Sequence, residues 1–299
     1  MQNNQQLDWS RRAGRTSPGG NLQGQPLGNP ADPLVQDFGF NSNEFLGELS
    51  SIPYAQFINA SERKFGIGIT GTNAELAKLD LTDSWQPVKH EFRDGTQETL
   101  LLTQKPKLLI LNRSQAMMSN ETETIPYDKK IHDTQGYKAF SYVVIWFLDD
   151  NNQPLSELPF RLRCSGYSGL TFLQHYSYYN VADSFCKQFL ATYKSLTSDR
   201  AIDKNEVFYA HAIYQPTFVR KLVTSSVNGQ KSSAVITDSF VQPTPDNFAS
   251  LIIKNGGEVS SKIKQLIQTT KSWLKSESDT PRVEVSDDNA VQAALAPEP

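Results

Sequence analysis

Residues 137–164 read YKAFSYVVIWFLDDNNQPLSELPFRLRC. The run Tyr142–Leu148 is apolar throughout. It falls far short of the roughly 20 residues that span a bilayer, so it predicts a buried strand. DDNNQ supplies turn chemistry, and the segment ending in PFRLRC returns as the partner strand of a hairpin. Side chains alternate along a strand with period two, so Arg161 and Arg163 share a face. Directly downstream, YSGLTFLQHYSYY (167–179) carries five aromatic rings besides His175. Guanidinium groups beside stacking rings suit a single nucleic-acid strand. The competing expectation is that Phe172 and Tyr176 pack beneath the helix that follows.

Working outward, KFGIGIT (64–70) and KLLILN (107–112) read as strands, and a short helix capped near Thr72 ends near Leu79. VKHEF (88–92) and ETLLLT (98–103) form a hairpin across Arg93-Asp94-Gly95. FVRKLVTSSV and KSSAVITDSFV surround Asn228-Gly229, a strong hairpin signal because a type I′ turn needs positive φ at both central residues. EVFYAHAIYQ (206–215) alternates and predicts another strand. Val181, Phe185, Phe189, Tyr193 and Leu196 make one apolar stripe on a central amphipathic helix. Phe248, Leu251 and Ile252 mark a helix stopping at Gly256-Gly257, and a last helix runs from about Val259 to Leu274. The expected fold class is α+β, mainly antiparallel β, with a barrel of the OB kind as the way to close the sheet.

Residues 1–33 are rich in Gly, Pro, Gln and Asn, and residues 277–299 are acidic and then Ala/Pro-rich. Such compositions bury too little apolar surface to offset ordering entropy. The expectation is two disordered tails around a single globular domain, 34–276. Net charge is −3 over 299 residues, with the acidity concentrated in the C-terminal tail. No apolar leader follows the first charges, and Cys164 and Cys186 alone imply no disulfide framework. A cytoplasmic protein without a membrane anchor is therefore expected.

Several patterns carry less. GIGITG (66–71) matches G-x-G-x-x-G, with Glu91 beyond it, but its glycines lie inside a strand rather than after one. Cys164, His175 and Cys186 lack the close ligand pairs of zinc sites. Glu121, Glu123, Asp128 and Asp133 lack calcium-loop spacing and read as a solvated loop. No nucleophile elbow, phosphate-binding lysine loop or zinc-protease helix appears. No catalytic residue, cofactor or metal is assigned.

IPYAQFIN (52–59), FGIGI with the following AELA, KPKLLILN, and above all YVVIWFLDDNNQPLSELPFRLRCSGYSG resemble an uncharacterised family of cyanobacterial proteins. The resemblance covers roughly residues 40 to 195. It implies a bacterial, cytoplasmic protein with one main domain and carries no site. The acidic C-terminus resembles the partner-recruiting tails of bacterial single-strand-binding proteins, although it ends Ala-Pro-Glu-Pro instead of in an apolar tip.

The resulting expectation is a non-enzymatic protein for single-stranded nucleic acid. Arg161, Arg163, Lys187, Lys105 and Lys107 would meet phosphates, while Tyr167, Phe172, Tyr178 and Tyr179 would stack on bases. The alternatives are an assembly protein acting through protein contacts, including its acidic tail, and an enzyme with a dispersed site at 121–133.

Overall fold

The strand Lys138–Phe147 is buried at every position after its first. Its alternate side chains enter two different apolar layers. Val143, Ile145 and Phe147 join one, and Tyr142, Val144 and Trp146 join the other. A strand buried on both faces belongs in the middle of a covered sheet. The computed structural model describes residues 52–92, 95–120, 123–177, 183–197, 205–224 and 231–275. All of them lie on the C-terminal side of a division between Glu44 and Phe45. The expected boundaries at 33/34 and 276/277 lie outside the described residues.

The strands are β1 (Tyr54–Ser61), β2 (Lys64–Thr70), β3 (Gln86–Glu91), β4 (Gln97–Thr103), β5 (Leu108–Arg113), β6 (Met117–Ser119), β7 (Thr124–Pro126), β8 (Lys138–Phe147), β9 (Phe160–Ser165) and β10 (Ile213–Tyr214). They form one ten-stranded sheet in the order β10-β5-β8-β9-β1-β2-β4-β3, with β6 paired to β8 and β7 to β6. Along that order every pairing is antiparallel except β1–β9, which is parallel. The α+β, mainly antiparallel class holds. The barrel does not: the sheet stays open, with β10 and β3 at its ends. Strands β11 (Pro216–Thr224) and β12 (Lys231–Phe240) form a separate hairpin.

The helices are α1 (Gly71–Ala77), α2 (Lys129–Gln135), α3 (Gly166–Tyr176), α4 (Phe185–Leu196), α5 (Glu206–Ala210) and α6 (Glu258–Lys275). Helices α3 and α4 join the first layer through Phe172, Tyr176, Phe185 and Phe189. Helices α5 and α6 supply Ala210, Ile263, Leu266 and Ile267 to the second. Helix α3 lies very close to β9: a Cβ on Gly169 would stand 2.4 Å from the carbonyl carbon of Cys164. On its other side, Thr171 Oγ1 accepts from the Thr237 N–H of β12 at 3.2 Å.

Three expectations are corrected. The segment 206–215 begins as helix α5, because Asn205 caps it by accepting from the Phe208 N–H; only Ile213–Tyr214 is extended. Phe248–Ser250 is a single 3-10 turn rather than a helix, since Asn247 bonds back to Thr244 and Gln242. Residues 129–135 of the expected loop form α2, with Asp128 accepting from Lys130 N–H as its cap. The hairpin around Asn228-Gly229 is present as β11–β12, but Thr224 stands opposite Lys231. A two-residue turn at Asn228-Gly229 would instead place Thr224 opposite Ser233; the turn itself lies outside the described residues.

Candidate functional site

Arg161 and Arg163 do share one face of β9, as strand parity requires. The guanidinium of Arg161 lies 3.6 Å from the ring centroid of Tyr54 and 5.7 Å from that of Tyr142. That of Arg163 lies 3.9 Å from the Phe140 centroid, and its Nη2 donates to Ser119 Oγ at 3.2 Å. Arg161 is only 5% exposed. These rings come from β1 and β8, not from the segment after β9. The other face of β9, with Phe160, Leu162 and Cys164, looks into the layer that holds α3. The expected arginines and Phe172 therefore lie on opposite faces of one sheet.

Residues 167–176 of the aromatic segment are helical, not an extended platform. Phe172 is fully buried, in edge contact with Phe57 at 5.7 Å and Tyr214 at 5.6 Å. It offers no face to a base, which corrects its expected role. Tyr176 stacks on Phe185, as the packing alternative predicts. Tyr167 is half-buried. Tyr178 and Tyr179 lie outside the described residues. Lys187 is exposed on the first turn of α4. Lys107 is half-buried and donates to the Asp150 carbonyl at 3.0 Å.

Lys105 belongs to a different grouping. Gln104 Nε2 donates to the Arg63 carbonyl at 3.1 Å, and the Phe218 N–H donates to the Gln104 carbonyl at 3.2 Å. Arg220 Nε donates to Asn59 Oδ1 at 2.8 Å, while Asn59 Nδ2 donates to the Ser233 carbonyl. These bonds join the β1–β2 turn, the loop after β4 and the β11–β12 hairpin into one corner. Arg63, Lys64 and Lys105 are exposed there, and Arg220 is half-buried. Glu62 is the carboxylate in that turn, and Asp238 on the hairpin is engaged by Lys221 at 3.3 Å. The signal for this corner was present in sequence as cations flanking turns, but nothing local links residues 63, 105 and 220.

The remaining chemistry is structural. Gly66 has φ +138°, and a Cβ there would meet the Thr103 carbonyl oxygen at 2.1 Å, so the glycines of β2 admit the neighbouring strand. Cys164 and Cys186 are both buried; burial pushes the Cys186 thiol up to about 12 and the Cys164 thiol higher still. Glu123 accepts from the Tyr137 hydroxyl. Among the described residues no group of three His, Cys, Asp or Glu side chains could hold a metal ion. His211 places Nδ1 2.7 Å from the Val207 carbonyl and Nε2 2.9 Å from Ser260 Oγ. That is a base–hydroxyl pair, but Ser260 is 1% exposed and the pair pins α6 to α5 rather than facing a substrate.

A small cavity of about 40 Å³ opens where α3 begins, between the ends of β5, β8 and β9. Arg113, Tyr127, Ser141, Cys164 and Ser165 supply its polar wall, and Ala139, Leu170 and Leu173 much of its apolar one. The sequence carries no signal for Arg113, which reaches the cavity only because β5 crosses to β8.

Residues 49–285 match a domain of unknown function, DUF5895. The chain belongs to the DUF5895 family. The match spans every described residue, so the basic corner and the cavity both lie within the DUF5895 domain. The chain is also similar to uncharacterized protein 254L of Invertebrate iridescent virus 6, at 24% identity over 184 residues, 58% of this chain and 53% of the viral protein. The chain thus spans about half the length of this curated relative. No solved structure matches. No helix among the described residues of this DUF5895 chain is long and apolar enough to cross a membrane.

Proposed function

We propose that the protein is a non-enzymatic binding protein for single-stranded nucleic acid, engaging phosphates through the corner of Arg63, Lys64, Lys105 and Arg220. The observation that carries this reading is the corner itself. Hydrogen bonds across three elements gather four cations around a single turn carboxylate. A local stripe of this kind, rather than net charge, decides polyanion binding. With Phe172 in the core, contacts are to the backbone of the nucleic acid and therefore insensitive to base sequence. A bacterial, cytoplasmic setting, cyanobacterial by the resemblance above, goes with this reading.

Anisotropy titration of a labelled oligonucleotide at several salt concentrations tests it. Four phosphate contacts give a log–log salt slope of about −3. Replacing Arg63, Lys64 and Lys105 together by Gln reduces that slope by about 2 and leaves the melting curve in place. No binding at low salt ends the proposal.

A second reading, assembly through protein contacts, is favoured by Leu222. This β11 side chain is 70% exposed, on the same hairpin as Arg220. Light scattering on the full chain and on Leu222→Ser tests it: a self-assembled parent and a monomeric variant support assembly, and two monomers with no co-eluting protein oppose it.

A further inference from the structure

We propose that the acidic segment 284–288 docks on the basic corner of Arg63, Lys64 and Lys105 and competes there with the nucleic acid, so that the chain carries its own displaceable inhibitor. The proposal rests on the nucleic-acid reading for what is displaced, while the docking is judged by a separate measurement. Residues 276–299 hold Glu277, Asp279, Glu284, Asp287, Asp288 and Glu298 against Arg282. They alone turn an otherwise slightly basic chain into one of net charge −3. The complementary charge is in excess at the corner, where Arg63, Lys64 and Lys105 are exposed around Glu62. Among the described residues, the ion pairs Lys78–Glu157, Lys221–Asp238 and Lys271–Glu206 use none of these three cations. The DUF5895 match runs on to residue 285, past the end of α6 at Lys275, so the acidic segment begins inside the domain.

The fold sets the reach. Asn112 Nδ2 donates to the Ile267 carbonyl at 3.3 Å and to Thr270 Oγ1 at 3.4 Å, which holds the last turns of α6 beside the far end of β5. Lys105 lies just before the near end of β5, at most about 25 Å of chain from Asn112. Lys275 ends α6, about 8 Å of helix beyond Thr270. The path from Lys275 to Lys105 is therefore at most about 40 Å, and the extended chain from Lys275 to Asp287 spans as much. Asp287 and Asp288 meet the corner without any displacement of α6. Such a tether holds the carboxylates at an effective concentration on the order of millimolar. Each exposed pair is weak and screened by salt, so an oligonucleotide with several phosphates displaces the segment.

Carbodiimide cross-linking of the full chain, which joins a carboxylate to a lysine amine as an amide with loss of water, tests the docking without any oligonucleotide. Intramolecular amides from Glu284, Asp287 or Asp288 to Lys64 and Lys105 are expected at low salt and are lost at high salt. Equal coupling to the exposed Lys89 and Lys129 overturns the docking. Anisotropy titration of a labelled oligonucleotide tests the competition. The combined variant Glu284→Gln, Asp287→Asn and Asp288→Asn is expected to bind about three- to tenfold more tightly than the parent at low salt. In a background of Arg63→Gln, Lys64→Gln and Lys105→Gln it should gain nothing. No gain in the parent, or an equal gain in that background, overturns the competition. Cross-links to Lys64 and Lys105 with no oligonucleotide bound by either form sink the nucleic-acid reading and the competition, and keep the docking. Oligonucleotide binding without those cross-links sinks the docking and keeps the nucleic-acid reading.

Discussion

Arg161 lays its guanidinium 3.6 Å from the ring centroid of Tyr54, on the sheet face turned away from Phe172. The two strands that bring Arg161 and Tyr54 together, β1 and β9, form the single parallel pairing along the main sheet order, with Tyr54 opposite Arg161. A cation enclosed by Tyr54 and Tyr142 is a packing element of the second layer. Its methylene stem contributes burial as well as charge.

Arg161→Ala should therefore lower stability by about 2 kcal/mol or more, the range of a desolvated cation–π contact with added packing loss. Oligonucleotide affinity, measured on the folded fraction, should not change. Urea unfolding followed by fluorescence checks the first part and anisotropy the second. A variant as stable as the parent with weakened binding would return Arg161 to the ligand surface.

Phe172→Ala should cost about 3–5 kcal/mol, because a fully buried ring leaves a cavity between Phe57, Tyr214 and Phe218. Phe172→Leu should recover much of that loss. The unfolding midpoints of the pair decide it, and a melting curve unchanged in the Ala variant would mean the ring is not in the core.

Gly169→Ala should destabilise by about 1–3 kcal/mol, the usual cost of overpacking. The added methyl meets the Cys164 backbone at 2.4–2.6 Å, and a strand backbone in mid-sheet cannot yield as a flexible side chain would. Differential scanning calorimetry measures the effect; an unchanged transition would show that α3 can lift from β9.

Stability should fall as pH drops below the ordinary histidine value of 6.5, through His211. Burial lowers its pKa first of all, the Val207 carbonyl raises it and the Lys264 cation lowers it. The facing groups are Val207 on α5, Ser260 and Lys264 on α6, and Asn255 between, with the Glu206–Lys271 pair at 2.8 Å joining the same two helices. The unfolded chain takes up the proton more readily than the folded one, so the stabilisation is complete above the unfolded value and is lost on acidification. His90 is shifted the same way by burial, but it is only half-buried and contributes less. His211→Gln should flatten the dependence of the urea midpoint between pH 7.5 and 5; an equal slope in both proteins would remove His211 from the account.

Strands β2, β4, β5 and β8 were legible because each is a short apolar or alternating run bounded by turn residues. Helix α3 was not. It is buried toward β9 and toward β12, with Gly169, Leu170, Thr171, Phe172, Leu173 and Tyr176 all enclosed, so its less buried side is narrow, confined to Tyr167, Ser168, Gln174 and His175, and its aromatic content reads as strand. Helix α5 has only five residues, too few for a period of 3.6 to emerge, and Asn205 was its one local signal. Strand β1 was overlooked as a strand, although its residues carried the family resemblance. The grouping of the basic corner and the place of Arg113 beside α3 were not legible for a different reason, since each depends on elements far apart in the chain.

Local chemistry was enough to put Arg161 and Arg163 on one side of β9, to read a buried strand in 137–148, and to expect a hairpin of 218–227 with 231–241, of which the structure shows Pro216–Thr224 paired with Lys231–Phe240. These follow from parity, apolarity and proximity along the chain. Which rings the arginines meet depended on β1 arriving beside β9 from about a hundred residues upstream, and which face α3 covers depended on β12 closing over it. Such contacts are settled by the mutual burial of distant segments, whose free energy no short window of sequence contains.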